Sequence, residues 1–156
     1  MITLDQADRL IEAILKRGAE LDCRPLSVIV VEPGCKVKAF KKEDGASMIR
    51  FEMAYGKAYA ALSLGRSSRL VLQKSREKPI FMQNLQALAQ GPMFLEGGGQ
   101  LIRDAAGEVI GAVGVTGDTE DRDEELAAHG IRAIGLKTDA DCAEIGRRGG
   151  IRLTNS

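Results

Sequence analysis

The sequence has no tryptophan, few other aromatic residues and no net charge, and each of these features excludes something. Aromatic residues make up 4% of the 156 residues, so the core must consist mainly of aliphatic and alanine side chains. Lysine plus arginine number 22, as do aspartate plus glutamate, so the formal net charge is zero. Proteins that bind nucleic acid or anionic membranes usually carry a marked excess of positive charge. We therefore expect no nucleic-acid partner.

Cysteine is also scarce, with Cys23, Cys35 and Cys142 as the only three and no CxxC pair. An odd, dispersed set favours neither a disulfide framework nor a zinc site, and reduced thiols are typical of a cytoplasmic protein. The first residues lack the apolar core of a signal peptide. No run approaches the roughly 20 apolar residues of a membrane span. We expect a cytoplasmic protein with no membrane partner.

Hydrophobic periodicity predicts helices at the start and in the middle of the chain. The first is TLDQADRLIEAILKRGAELD, with Thr3 or Asp5 as its cap. Residues 46–64 form the second, a long and largely buried helix, and residues 67–74 and 79–90 form one or two more. Between them, PLSVIVVEPG and CKVKAFKKEDG predict two strands joined as a hairpin by a Pro-Gly turn.

The second half of the chain alternates glycine-rich bends with apolar runs. PMFLEGGGQLIRD predicts a short strand, a bend and another short strand, and EVIGAVGVTG predicts a third strand. A helix capped by Asp118 or Thr119 then runs to about residue 134. Strands in sequential runs indicate an α+β fold, in which helices pack on an antiparallel sheet. We expect one domain at residues 1–136 and a C-terminal extension at residues 137–156.

Three runs of sequence resemble the GlcG/HbpS family, which includes the C-terminal domain of PduO-type proteins. They are VIVVEPGCKVKAFKKEDGA, GKAYAALSLGR and FLEGGGQLIRDAAGEVIGAVGVTGDTEDRDEELA, in the order and spacing of the family pattern. The sequence departs from that pattern in carrying Glu32 for aspartate, Cys35 for glycine, Tyr59 for threonine and Thr116 for serine. A side chain at position 35 disfavours positive φ there.

This resemblance implies a profilin-like α+β fold and a homo-oligomer, often described as an octamer in the family. It also implies haem as a ligand, since several members are reported to bind it, while other members belong to catabolic operons. Two functions follow as expectations. One is an oligomeric small-ligand-binding protein, with haem or a small anionic molecule as partner. The alternative is an enzyme or accessory protein of a catabolic pathway that acts on a small organic acid.

The resemblance and the residue types together predict a ligand site. Backbone N–H groups of Gly97, Gly98 and Gly99 could form an anion-binding nest, or the glycines could simply form a bulge. Thr116 and Asp123 could contact a polar ligand, or serve only a helix start. Lys57, in an apolar helix, could bind a carboxylate, or simply pair with Glu32 or Glu52. With Glu32, these residues form our predicted pocket, in which Lys57→Met should weaken binding with little loss of stability.

His129 is the only histidine and is our candidate haem-iron ligand. A lone histidine on a helix is more commonly an ordinary surface residue. The methionines Met48, Met53, Met82 and Met93 could also ligate iron, although methionine more often fills cores.

Overall fold

Helices cover both faces of a small sheet in the computed structural model, which describes residues 1–142. Within these residues the helices are α1 (Leu4–Glu20), α2 (Arg50–Leu64), α3 (Ser68–Glu77), α4 (Pro79–Leu88) and α5 (Glu120–Ala133). The strands are β1 (Ser27–Val31), β2 (Val37–Lys42), β3 (Gly99–Arg103) and β4 (Val109–Thr116), and a single 3₁₀ turn spans Ala140–Cys142. The rest of the predicted extension, residues 143–156, lies outside the described residues.

The sheet has the strand order β2-β1-β4-β3, and every neighbouring pair is antiparallel. The predicted hairpin of β1 and β2 is confirmed, as is the α+β class with helices packed on an antiparallel sheet. Strand β1 lies in the centre and is buried along its whole length. Its five residues are Ser27 and four β-branched side chains, a composition that suits a strand covered on both faces.

The two faces of the sheet bury separate hydrophobic clusters. Helices α1 and α5 cover one face, where Leu10, Ile14 and Leu126 pack on the sheet. Helix α2 covers the other face mainly with alanines, among them Ala54 and Ala58. Helices α3 and α4 extend the layer of α2 around a third, smaller cluster. The low aromatic content is thus matched by aliphatic packing on both faces.

Two helices begin at side-chain caps that the sequence predicted. Thr3 accepts a hydrogen bond from the Gln6 N–H, and the Gln6 side chain accepts one from the Thr3 N–H, so α1 starts with a capping box. Thr119 accepts from the Arg122 N–H at 3.2 Å and caps α5. Asp5 and Asp118, the alternatives, are not the N-cap residues.

Three local predictions were wrong. Residues 92–96 form no strand, because the Phe94 N–H bonds to the Gly56 carbonyl at 3.1 Å and this segment lies against α2 instead. Helix α2 begins at Arg50, four residues later than predicted, after two turns of chain. Cys35 adopts a φ of 62° despite its side chain, and its N–H bonds to the Glu32 carbonyl at 2.7 Å to close the hairpin turn.

Gly114 sets how closely α2 approaches the sheet. A Cβ atom at this position of β4 would overlap the carbonyl oxygen of Ala54 in α2. Gly34, in the hairpin turn, has no such neighbour within 4 Å. The small residues of β4 therefore serve close packing of a helix on a strand.

We predict that Gly114→Ala lowers the free energy of unfolding by about 1–3 kcal/mol, the usual cost of overpacking. Gly34→Ala is the matched control and should change stability by less than about 1 kcal/mol. Urea unfolding of both variants measures the difference. Equal stabilities would contradict the close approach of α2 and β4.

Candidate functional site

A buried ion pair joins Lys57 of α2 to Asp123 of α5. The Lys57 ammonium donates to Asp123 Oδ2 at 3.1 Å and to the Val115 carbonyl at 2.8 Å. The two side chains are 1% and 3% exposed. Asp123 Oδ1 accepts from the Asp118 N–H at 3.1 Å, so both carboxylate oxygens have donors. Buried charges are tolerated in proteins when they are paired and hydrogen-bonded in this way.

Local sequence brings these two side chains to the same edge of the sheet. Lys57 lies on the buried face of α2, and Asp123 lies in the first turn of α5, which packs on the opposite face of the sheet. Gly98 precedes edge strand β3 with a φ of 120°. A Cβ on Gly98 would sit 3.1 Å from the Lys57 ammonium and would overlap the Val115 carbonyl oxygen. Only glycine leaves room for the lysine to pass this edge.

The three glycine N–H groups are bound by side chains of the chain itself. Gly97 N–H donates to Glu120 at 2.9 Å, and Gly98 N–H donates to Glu124 at 2.7 Å. Gly99 N–H donates to the Ser68 hydroxyl at 2.8 Å. The glycines therefore present donors to anionic groups, as a nest does, but the anions are carboxylates of α5. A small anion would reach these donors only by displacing Glu120 or Glu124.

Burial has the largest effect on the pKa values of the buried acids in this region. It raises the pKa of Asp123 to about 6, and the ion pair with Lys57 opposes that rise. Burial also raises the pKa of Glu124, against the hydrogen bond from the Gly98 N–H. Both effects follow from the cost of placing a negative charge in a dry environment.

The remaining residues of the predicted pocket have other partners. Thr116 accepts from Arg50 Nη1 at 2.9 Å. Glu32 forms an ion pair with Lys38 at 2.8 Å, so it is not the acid that pairs with Lys57. The structure thus brings Lys57, Gly98 and Asp123 into contact, while Glu32 is engaged in the β1–β2 hairpin. A ligand-binding role for this group stays a prediction.

The expected effect of Lys57→Met on stability has to be corrected. We expected Lys57→Met to leave stability nearly unchanged, but the ammonium is buried and is the partner of a buried carboxylate. Removing one member of a buried pair leaves the other charge uncompensated, which typically costs about 3–5 kcal/mol. The substitution should therefore destabilise the fold.

His129 lies on the exposed side of α5, beside an open cavity of about 440 Å³. The cavity is also lined by Arg17 of α1 and by Glu125, Arg132 and Ala133 of α5. An imidazole with two guanidinium groups beside it combines a ligand for a metal centre with groups that bind carboxylates. Of the methionines considered as alternatives, Met82 is buried and Met48 is 90% exposed.

A second buried ion pair was not found from the sequence. Arg103 Nε, at the end of β3, donates to Asp139 Oδ1 at 2.9 Å, and both side chains are less than a tenth exposed. The two residues are 36 positions apart and no motif links them. The contacts of Glu120 and Glu124 with the glycine bend could have been found from the sequence. Their spacing of four residues places both side chains on one face of α5.

Within residues 1–142, no group of three or more histidine, cysteine, aspartate or glutamate side chains is arranged to hold a metal ion. In the same part of the chain, no helix is long and apolar enough to cross a membrane.

Comparison with known proteins gives a consistent result. A family model described as haem degrading protein HbpS-like matches residues 2–132. An uncharacterized 15.0 kDa protein from the dhaT-dhaS intergenic region of Citrobacter freundii is 29% identical over 126 residues, which are 81% of this chain and 87% of that protein. The family model therefore covers nearly all of the residues that the structure describes.

Solved structures share the fold. Protein ORFY of Klebsiella pneumoniae superimposes with a TM-score of 0.75 at 26% identity, over 85% of this chain and 90% of that one. A PduOC:heme complex gives 0.77 at 23% identity, over 88% and 97% of the two chains. HbpS gives 0.74 at 24% identity, over 86% and 90%.

The protonation of Asp123 makes a prediction for the pH dependence of stability. Its native pKa of about 6 lies above the roughly 3.9 of an unfolded aspartate, so the native state binds the proton more tightly. Its contribution to stability is therefore largest below about pH 4 and is lost as the pH rises through about 6. We predict that Asp123→Asn removes this decrease in the free energy of unfolding between about pH 4 and pH 7.

Urea unfolding between about pH 4 and pH 7 tests the prediction. Asp121→Asn is the control, because Asp121 is an exposed acid of the same helix and should leave the slope intact. A wild-type slope that Asp123→Asn does not change would contradict a raised pKa at this residue.

Proposed function

The chain belongs to the HbpS-like family of haem-degrading proteins, and on that basis we propose that it is a cytoplasmic, oligomeric protein that binds haem. The observation that carries the proposal is the cavity beside His129, which is lined by this exposed imidazole and by two arginines. A relative of the same fold was crystallised as a PduOC:heme complex, which supports haem as the ligand class.

Three residues at this cavity fit the polar requirements of haem, namely its iron and its two carboxylates. A neutral imidazole nitrogen is a common axial ligand of haem iron. The guanidinium groups of Arg17 and Arg132 match the two carboxylates that a haem molecule carries on its propionates. Arg17 forms an exposed ion pair with Glu20, and such a pair contributes little. Arg132 binds Asp141 through both Nε and Nη2, so a propionate would have to replace a bidentate contact there.

In this proposal His129 holds the iron, and Arg17 and Arg132 orient the porphyrin through its propionates. When bound, haem would supply the redox-active iron that the side chains do not. Among residues 1–142, Ala133 is the one apolar side chain that lines this cavity, so the porphyrin faces need further cover. A second copy of the chain would provide that cover, which links haem binding to assembly.

Self-association is supported by an apolar surface on α4. Ile80, Phe81 and Leu88 are 74%, 51% and 78% exposed, and the buried residue of this helix is Met82. Large exposed apolar patches mark interaction surfaces. We propose that α4 packs against a second copy of this chain, within a homo-oligomer larger than a dimer.

Light scattering tests the assembly. We expect a particle of several chains for the wild type and a smaller one for the double variant Ile80→Lys, Leu88→Lys, because buried lysines would oppose association. Lys78→Ala, next to the same helix, is the control and should leave the mass unchanged. A wild type with the mass of one chain would contradict the proposal.

The alternative function, an enzyme or accessory protein for a small organic acid, depends on Lys57, Glu32, Asp123 and the glycine N–H groups as a polar pocket. Those groups are hydrogen-bonded within the chain, Lys57 to Asp123 and the Gly98 N–H to Glu124. An acid bound there would need to replace these internal contacts. Haem at His129 would replace ion pairs of Arg17 and Arg132 that lie at the surface rather than buried contacts, so it has the better support.

We predict that titration with hemin gives a defined Soret band and that His129→Ala weakens binding at least about tenfold, since even partners of metal ligands have effects of that size. Met48→Ala is the control, because Met48 is the most exposed of the alternative ligands considered. Unchanged spectra and affinity in His129→Ala would contradict the assignment, as would a loss confined to Met48→Ala.

A further inference from the structure

A second cavity lies between α3 and α5, on the side of the sheet edge formed by β3. Its volume is about 290 Å³. It is lined by Arg69 and Leu70 of α3, by Glu124, Ala128 and Arg132 of α5, and by Asp139 from the segment after α5. Arg132 is shared with the cavity beside His129, but the other residues named here are not.

The feature of this cavity that needs explanation is the carboxylate of Asp139. The residue is 6% exposed, and its Oδ1 accepts from Arg103 Nε at 2.9 Å. Its Oδ2 is buried and accepts no hydrogen bond of standard geometry among residues 1–142, although the Ser67 N–H lies near the carboxylate. An unsatisfied buried acceptor is costly, and a bound molecule can supply the missing donor.

The charge of Asp139 limits what that donor can be. Arg103 already forms an ion pair with it, so a second cation would gain little from neutralising the carboxylate. A neutral donor, such as an alcohol hydroxyl, completes the hydrogen bonding without adding charge. The cavity therefore favours a hydroxyl over an ammonium group at this point.

The mouth of the cavity carries two guanidinium groups. Arg69 pairs with Asp121, and Arg132 pairs with Asp141, through side chains that are partly exposed to solvent. The exposed Arg69–Asp121 pair is worth little, while Arg132 binds Asp141 through both Nε and Nη2. A ligand carboxylate that binds a guanidinium through two parallel hydrogen bonds can replace them.

We propose that this cavity binds a hydroxylated carboxylate of the size of a sugar acid. A hydroxyl donates to Asp139 Oδ2, the carboxylate binds Arg69 and Arg132, and the carbon chain lies against Leu70 and Ala128. The volume of about 290 Å³ is at the lower end for small-molecule sites, which suits a ligand of this size better than a cofactor.

Titration calorimetry of the full chain with three probes tests the ligand class. Gluconate carries hydroxyls and a carboxylate, sorbitol lacks the carboxylate, and hexanoate lacks the hydroxyls. We expect gluconate to bind and each of the other two to bind at least about tenfold more weakly, the effect of losing one charged or buried hydrogen bond. Equal binding of the three probes, or no binding of gluconate, would overturn the proposal and leave Asp139 Oδ2 to water.

A pair of substitutions on α5 tests the location. Ala128→Leu fills the cavity with a good helix former and should abolish gluconate binding. Ala133→Leu makes the same change beside His129 and should leave gluconate binding intact. Arg69→Gln should weaken gluconate at least about tenfold without affecting sorbitol.

Circular dichroism and thermal unfolding establish that each variant is folded. His129→Ala should bind gluconate normally, so failure of the haem proposal and failure of this one are distinguishable. Retention of gluconate binding in folded Ala128→Leu would overturn the assignment of this cavity.

Discussion

The Lys57–Asp123 ion pair constrains much of the rest of the structure. It connects α2 and α5, which lie on opposite faces of the sheet, around the edge formed by β3. Two charges buried this deeply are costly unless they remain paired, so the two helices and the intervening strand must keep their relative positions. Gly98 follows from the same constraint, because any side chain there would occupy space beside the lysine.

The acidic start of α5 consequently has several roles at once. Asp123 pairs with the lysine, while Glu120 and Glu124 accept hydrogen bonds from Gly97 and Gly98. These acids also suit the positive end of the helix dipole. The inward side of α5 thus holds the fold together, and its outward side, with His129 and Arg132, borders both proposed ligand cavities. A rigid inner contact gives the outer side chains a fixed platform.

Features set by local sequence could be predicted, and those set by distant contacts could not. Periodicity and turn residues located the helices, the β1–β2 hairpin and the caps Thr3 and Thr119, and the resemblance to the HbpS family is confirmed by the family match. Lys57 was correctly singled out as a lysine in apolar surroundings. Asp123, 66 residues away, was expected in the same pocket as a ligand contact, but its direct pairing with Lys57 was not predicted.

The prediction of a strand at residues 92–96 was wrong for a related reason. Its residue types suit a strand, but the Phe94 N–H is taken by the Gly56 carbonyl of α2, a contact that sequence spacing does not reveal. The pair of Arg103 and Asp139, and with it the cavity between α3 and α5, likewise depends on how the chain after α5 returns to β3. Such contacts determine where ligands can bind more than secondary structure does.

A double-mutant cycle on Lys57 and Asp123 tests the central claim most directly. Near pH 7.5, Lys57→Met and Asp123→Ala should each lower the free energy of unfolding by about 3–5 kcal/mol, because each leaves one buried charge without its partner. The loss of unfolding free energy in the double variant should be smaller than the sum of the two single losses, by about 1–3 kcal/mol. Additive losses would show that the two charges do not interact, and would contradict the role given to this pair.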